Sequence, residues 1–122
     1  MRTGEIALER TDAGVAVLTI SGEHDLSTAP GLGRRLKRLI GDNSPIVVDL
    51  SGATFIDSSI LGAILDARRR AGSKRFAVVN GGDAEGVRRV LEVTGLQAAL
   101  PVHEVRDQAV AAMTNGRGES TP

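Results

Sequence analysis

The chain has no cysteine, no tryptophan and no tyrosine, and only two phenylalanines among its 122 residues. Without cysteine there is no disulfide, no thiolate nucleophile and no cysteine-bound zinc. That absence fits a reducing cytoplasm. An excess of either charge is also missing, since 15 Lys and Arg balance 15 Asp and Glu. Nucleic-acid binders take much of their affinity from neutralising phosphates, and many stack bases on aromatic rings. Direct nucleic-acid binding is therefore not expected. No apolar run approaches the ~20 residues of a membrane span, and the N-terminus lacks the charged, apolar and small-residue order of a signal peptide. The expectation is one cytoplasmic domain with no membrane insertion, long enough to bury roughly two-thirds of its unfolded surface.

What is present is ordered. Glu5 to Arg10 alternates polar and apolar, and Val15 to Ile20 reads as a second strand, with Thr11-Asp12-Ala13-Gly14 as the turn of a hairpin. Gly22-Glu23-His24-Asp25 breaks the pattern. Ser27 or Thr28 is placed to cap a first helix, with Pro30 in its first turn and Leu32, Leu36, Leu39 and Ile40 on its inner face. Ile46 to Leu50 is an apolar run with no polar alternation until Asp49, the mark of a central strand covered on both faces. A second helix is expected from Ser58 to Ala71, with Ile60, Leu61, Ile64, Leu65 and Ala67 inward and Gly72 ending it. Phe76 to Val79 is a fourth strand. Asp83 is placed to cap a third helix carrying Val87, Val90, Leu91 and Thr94, stopped by Gly95. A short strand near residues 99–102 and a helix over 104–114 follow. Residues 115–122, rich in Gly, Ser, Thr and Pro, read as a disordered tail after a single domain of 1–114. Helix and strand in alternation require crossovers and a mainly parallel sheet, here with one antiparallel edge strand.

Chemistry concentrates at Asp57-Ser58-Ser59, where a strand gives way to a helix. Asp and Ser are the preferred helix caps, so a structural role alone would account for one of them. Two consecutive hydroxyls exceed what one cap needs. The position also follows a central strand and opens a helix N-terminus, where oxyanions are favoured and open α/β sheets hold their ligands. A serine hydrolase is not expected: Ile56-Asp57-Ser58-Ser59-Ile60 lacks both glycines of G-x-S-x-G. The only histidines are His24 and His103, and His24 reads as a solvated loop residue. No metal or cofactor is expected, since His24-Asp25 has no second ligand pair. Asn80-Gly81-Gly82-Asp83 reads as a strand-to-helix turn, and the arginines of 34–38 and 68–70 as solvated helix faces.

These residues resemble the anti-sigma factor antagonists of the STAS-domain family. The likeness is carried by Gly22-Glu23-His24-Asp25, by Val47 to Gly52 running into Phe55-Ile56-Asp57-Ser58-Ser59, by Leu61-Gly62 and by Thr94-Gly95-Leu96, and it spans roughly Glu5 to Met113. It implies the family's small mixed α/β sheet, an N-terminal β-hairpin followed by alternating helices and mostly parallel strands, about five strands and four helices. It implies a non-enzyme that regulates transcription indirectly. Unphosphorylated, the antagonist binds an anti-sigma factor that is also a serine kinase; phosphorylation of Ser58 releases it, and a phosphoserine phosphatase is a further partner. Glu23, Asp25, Ser27, Thr28, Ile56, Asp57, Ser59 and Ile60 would form the partner-facing surface. One departure stands out, because Ile60 occupies a position where the family commonly has glycine. Turned inward, Ile60 is core; turned outward, it adds an apolar contact that selects a different kinase. Isoleucine in place of the glycine is also the best support for the alternative of a scaffold or ligand-sensing subunit that is never phosphorylated.

Overall fold

A computed structural model describes residues 4–82, 84–93, 95 and 102–118. Five strands form one sheet in the order β1-β2-β3-β4-β5: Glu5–Arg10, Ala16–His24, Ile46–Ile56, Phe76–Val79 and Val102–His103. β1 runs antiparallel to β2, and every later pairing is parallel. Four helices are described: α1 Ala29–Gly41, α2 Ser58–Ala71, α3 Glu85–Val93 and α4 Arg106–Gly118. Strands added one after another in one direction, with crossovers of one hand, put their connecting helices on one face. Accordingly Leu18, Ile20, Val48, Leu50 and Phe76 pack with Leu36, Ile64 and Leu91 from α1, α2 and α3. The next residue along each strand points the other way, so Val17, Val47, Ala77 and Val79 meet Ala109 and Met113 of α4. β3 is covered on both faces, as its apolar run from Ile46 to Leu50, interrupted only by Asp49, requires.

The largest difference from the sequence reading lies in β2 and β3, which both run longer than expected. Gly22 does not end β2. It takes φ +81°, the pairing register shifts there, and the strand continues to His24. β3 likewise passes through Ser51-Gly52 to Ile56, because the extension of β2 gives it a partner: Ser21 lies beside Gly52, and His24 beside Ile56. Local turn signals lose to cross-strand pairing.

Smaller differences arise from helix geometry. Leu65, expected inward, is 37% exposed, because α2 buries the row of Ile60, Leu61, Ile64 and Ala67. α4 runs to Gly118, past the expected end at Thr114. Val102 is a strand residue as expected, but residues 99–101, Asp83 and Thr94 lie outside the described part, as do 119–122. Arg106, at the start of α4, binds across three strands: its guanidinium reaches Asp49 at 2.9 Å, Thr19 at 2.7 Å and Glu9 at 3.1 Å. Asp49 is only 6% exposed, so this pairing offsets the cost of burying its charge.

Candidate functional site

His24 and Ile56 are register partners at the ends of parallel strands, so Asp25 and Asp57 leave the sheet side by side. Each carboxylate folds the turn after it. Asp57 caps α2: its Oδ1 accepts the Ser59 N–H at 3.0 Å, the Ile60 N–H at 3.3 Å and the Ser59 hydroxyl at 2.5 Å. Asp25 Oδ1 accepts the Ser27 N–H at 2.9 Å and the Ser27 hydroxyl at 2.6 Å. The serine hydroxyl bond is the main reason each carboxyl titrates below its ordinary range, with the N–H donors adding to it. For Asp57, partial desolvation and the nearby Asp25 charge act in the opposite direction.

The two hydroxyls of the signature therefore differ. Ser59 is committed to Asp57. Ser58, the first residue of α2, is exposed, and among the described residues its hydroxyl makes no hydrogen bond. It stands over a helix N-terminus, where N–H groups and the helix dipole favour negative charge. Among the described residues, no base is poised to turn it into a nucleophile. His24 is not the solvated loop residue expected; it is the last residue of β2 and 1% exposed. Its Nε2–H donates to the Ser21 carbonyl at 2.9 Å, and Nδ1 faces the Thr28 hydroxyl at 3.1 Å. The backbone of Gly4 lies over the ring so closely that a Cβ there would come within 2.4 Å of Nε2. His103 lies in β5, two strands from β3. Among the described residues, Ser58 and the two histidines do not assemble a catalytic triad.

Of the residues named from sequence, Glu23, Asp25, Ser27 and Ser58 are exposed around this end of the sheet, and Thr28, Asp57 and Ser59 are half-buried. Ile56 is 1% exposed and Ile60 fully buried, so both face the core and neither side chain reaches the surface. Two residues that sequence reasoning missed are Leu26, 71% exposed, and Phe55, 48% exposed. Leu26 sits in the middle of the Asp25 turn, and Phe55 lies beside Glu23. An apolar residue inside a polar turn was the available signal for Leu26. Phe55 was hidden by the irregular end of β3, where Thr54 and Phe55 are both exposed between buried Ala53 and Ile56. The glycine-rich loop is packed rather than open. Gly81 N–H donates to the Ser51 hydroxyl, and a Cβ on Gly81 or Gly82 would collide with the backbone of Glu104 or Ser51. Among the described residues, no group of three His, Asp or Glu side chains is placed to hold a metal ion.

Residues 7–102 match the family model described as "Mlab, STAS domain". The chain belongs to the STAS-domain family. It is 33% identical over 106 residues to the anti-sigma-F factor antagonist RsfB of Mycobacterium tuberculosis, a match covering 85% of each chain. An anti-sigma factor antagonist from Mycobacterium paratuberculosis superposes with a TM-score of 0.80 at 33% identity, covering 91% of this chain and 94% of that one. SpoIIAA of Bacillus, solved in its phosphorylated form, shares the STAS fold with a TM-score of 0.67 at 20% identity, over 88% of this chain and 97% of its own. Among the described residues, no helix is long and apolar enough to cross a membrane.

Proposed function

We propose that this STAS protein is a cytoplasmic anti-sigma factor antagonist whose docking face is the turn pair at the ends of β2 and β3. Its partner is an anti-sigma factor with serine kinase activity, and Ser58 is the residue that kinase modifies. The observation that carries the reading is the free, exposed Ser58 hydroxyl on a rigid helix start, beside a second hydroxyl that is not free. The named relatives supply the functional class.

The chemistry derives from position. The Ser58 hydroxyl attacks the γ-phosphorus of the kinase's ATP, its proton passes to a base of the kinase, and ADP leaves. The phosphate adds about −1.5 to −2 charge and three acceptor oxygens. At the start of α2 the domain itself can hold that charge without refolding. A partner seated over Leu26 and Phe55, with Asp25 and Asp57 already negative, would meet new bulk and more charge of the same sign. Ile60 does not obstruct such a partner, because its side chain is wholly buried. The scaffold alternative rests on isoleucine standing where the family commonly has glycine; with Ile60 buried, that replacement leaves the Ser58 hydroxyl exposed.

The test uses the anti-sigma factor captured from the same cells by the wild-type protein. With ATP it should transfer one phosphate to the wild type and none to Ser58→Ala, which should still bind it. Ser58→Glu should bind about 5- to 150-fold more weakly, the usual span of such couplings. Phosphate found on a different residue, or none transferred by a partner that does bind, would overturn the assignment.

A further inference from the structure

β1 is an edge strand of six residues with no proline and no bulge, so its outer row of backbone N–H and C=O groups pairs with nothing among the described residues. Its register sends Ile6, Leu8 and Arg10 to the face that carries α1, and Glu5, Ala7 and Glu9 to the other. α1 does not cover β1. Between them runs a groove of about 470 Å³ with Leu8, 44% exposed, and Leu39 in its floor. It continues toward Thr28 as a second stretch of about 310 Å³, the two meeting at Gly31, Arg34 and Arg35.

The rim is cationic. α1 carries Arg34, Arg35, Lys37 and Arg38 and no acid. Arg34, Arg35 and Arg38 line the groove, and among the described residues none of the three has an ion pair. Among the described residues, Asp42 is the one acid lining the groove, and it lies 4.0 Å from Arg10. In a chain of zero net charge, this is a local excess beside an apolar floor and an open strand edge.

We propose that this groove is a docking site for an extended acidic segment of a protein partner. The segment adds to the free edge of β1, sets apolar side chains on Leu8 and Leu39, and pairs carboxylates with Arg34, Arg35 and Arg38. Its opposite face is neutral, because Glu5 and Glu9 occupy that side of β1. A second copy of this chain is a poor occupant, since pairing two β1 edges about a two-fold axis brings two α1 arginine clusters together. A lipid surface fits no better: Leu39 is recessed at 3% exposure rather than projecting. Ser58 lines neither stretch, though Ser27 and Thr28 at the far end belong to the neighbouring turn, and the inference stands whether or not Ser58 is modified.

The probe is a short fluorescent peptide with Glu and Val alternating at every second position and Thr between them, so that one strand face carries both acid and apolar groups. It should raise anisotropy, shift the amide signals of residues 5–10 and 31–39, and weaken as salt rises. The double variant Arg34→Glu, Arg38→Glu, with its fold checked by circular dichroism, should lose about tenfold or more in affinity through like-charge repulsion. Arg34→Lys should retain most of the affinity, and Ser58→Glu should leave it unchanged. Equal binding of a peptide with Lys in place of Glu would overturn the proposal, as would shifts confined to the Ser58 turn or no binding at all. So would capture by phosphatidylglycerol vesicles that the peptide does not compete with, or self-association that buries β1.

Discussion

Asp25-Leu26-Ser27 and Asp57-Ser58-Ser59 leave adjacent strands and fold with the same bonds, one carboxylate oxygen taking the N–H and the hydroxyl of the serine two residues on. They part ways in the element each one opens. After Asp57 the helix begins at once, so the middle residue, Ser58, is the first residue of α2. After Asp25 a further turn intervenes before α1 starts at Ala29, and the middle residue is an exposed leucine. They differ again at the fourth position, where Ile60 is wholly buried and Thr28 half-buried, its hydroxyl bonded to His24. The lesson is that a cap geometry is not a site. One turn leaves an apolar side chain exposed and the other a hydroxyl without a hydrogen bond at a helix N-terminus; in the function proposed above, the two form one docking face.

The two turns should differ most in stability at their fourth positions. Ile60→Gly would restore the residue common in the family, and it should destabilise this protein by about 3–5 kcal/mol. It empties a core site and places glycine in a helix. Denaturant midpoints with an unchanged slope would measure it. A near-neutral result would mean that Ile60 contributes little to the core. The matching change in the other turn is smaller. Thr28→Val leaves the buried His24 Nδ1 without its partner and should cost about 1–3 kcal/mol by the same measurement.

The smallest effect separates charge from capping. Asn also caps, so Asp57→Asn removes mainly the carboxylate's interaction with the α2 N-terminus, about 0.5 kcal/mol. The folded carboxyl titrates below its ordinary 3.8, so it adds stability above the unfolded value and loses it as pH falls through the folded one. The advantage of wild type over Asp57→Asn should therefore be full above about pH 5 and shrink below about pH 4. Asp25→Asn should show the same direction over the same window. A difference that grew toward low pH in either turn would show that the carboxylate is not held by these bonds.

Much of this was legible in the sequence. The bounds of β1, α2 and β4 came from periodicity and from Gly72, which sits at φ +92°. Asp57 as a cap came from residue type, and β3 as a central strand from its apolar run. The end of β2 was not legible, because Gly22 is a turn signal until a neighbouring strand shows it to be a bulge. The burial of His24 hid behind the same error, since a residue placed in a loop is read as solvated. Phe55 escaped because nothing in a strand's sequence marks an apolar residue as left outside, whereas Leu26 was marked only by being apolar within a polar turn.

By itself, then, the sequence determined the order of the elements, the mostly parallel sheet and the turn that holds Ser58, because these rest on local spacing and residue type. Tertiary structure decided which of two serines is free, that Ile60 faces inward, and that a second Asp-x-Ser turn stands beside the first. It also brought the arginines of α1 to the open side of β1. These are matters of strand register and of which face a neighbour covers, and both are fixed only when distant segments meet.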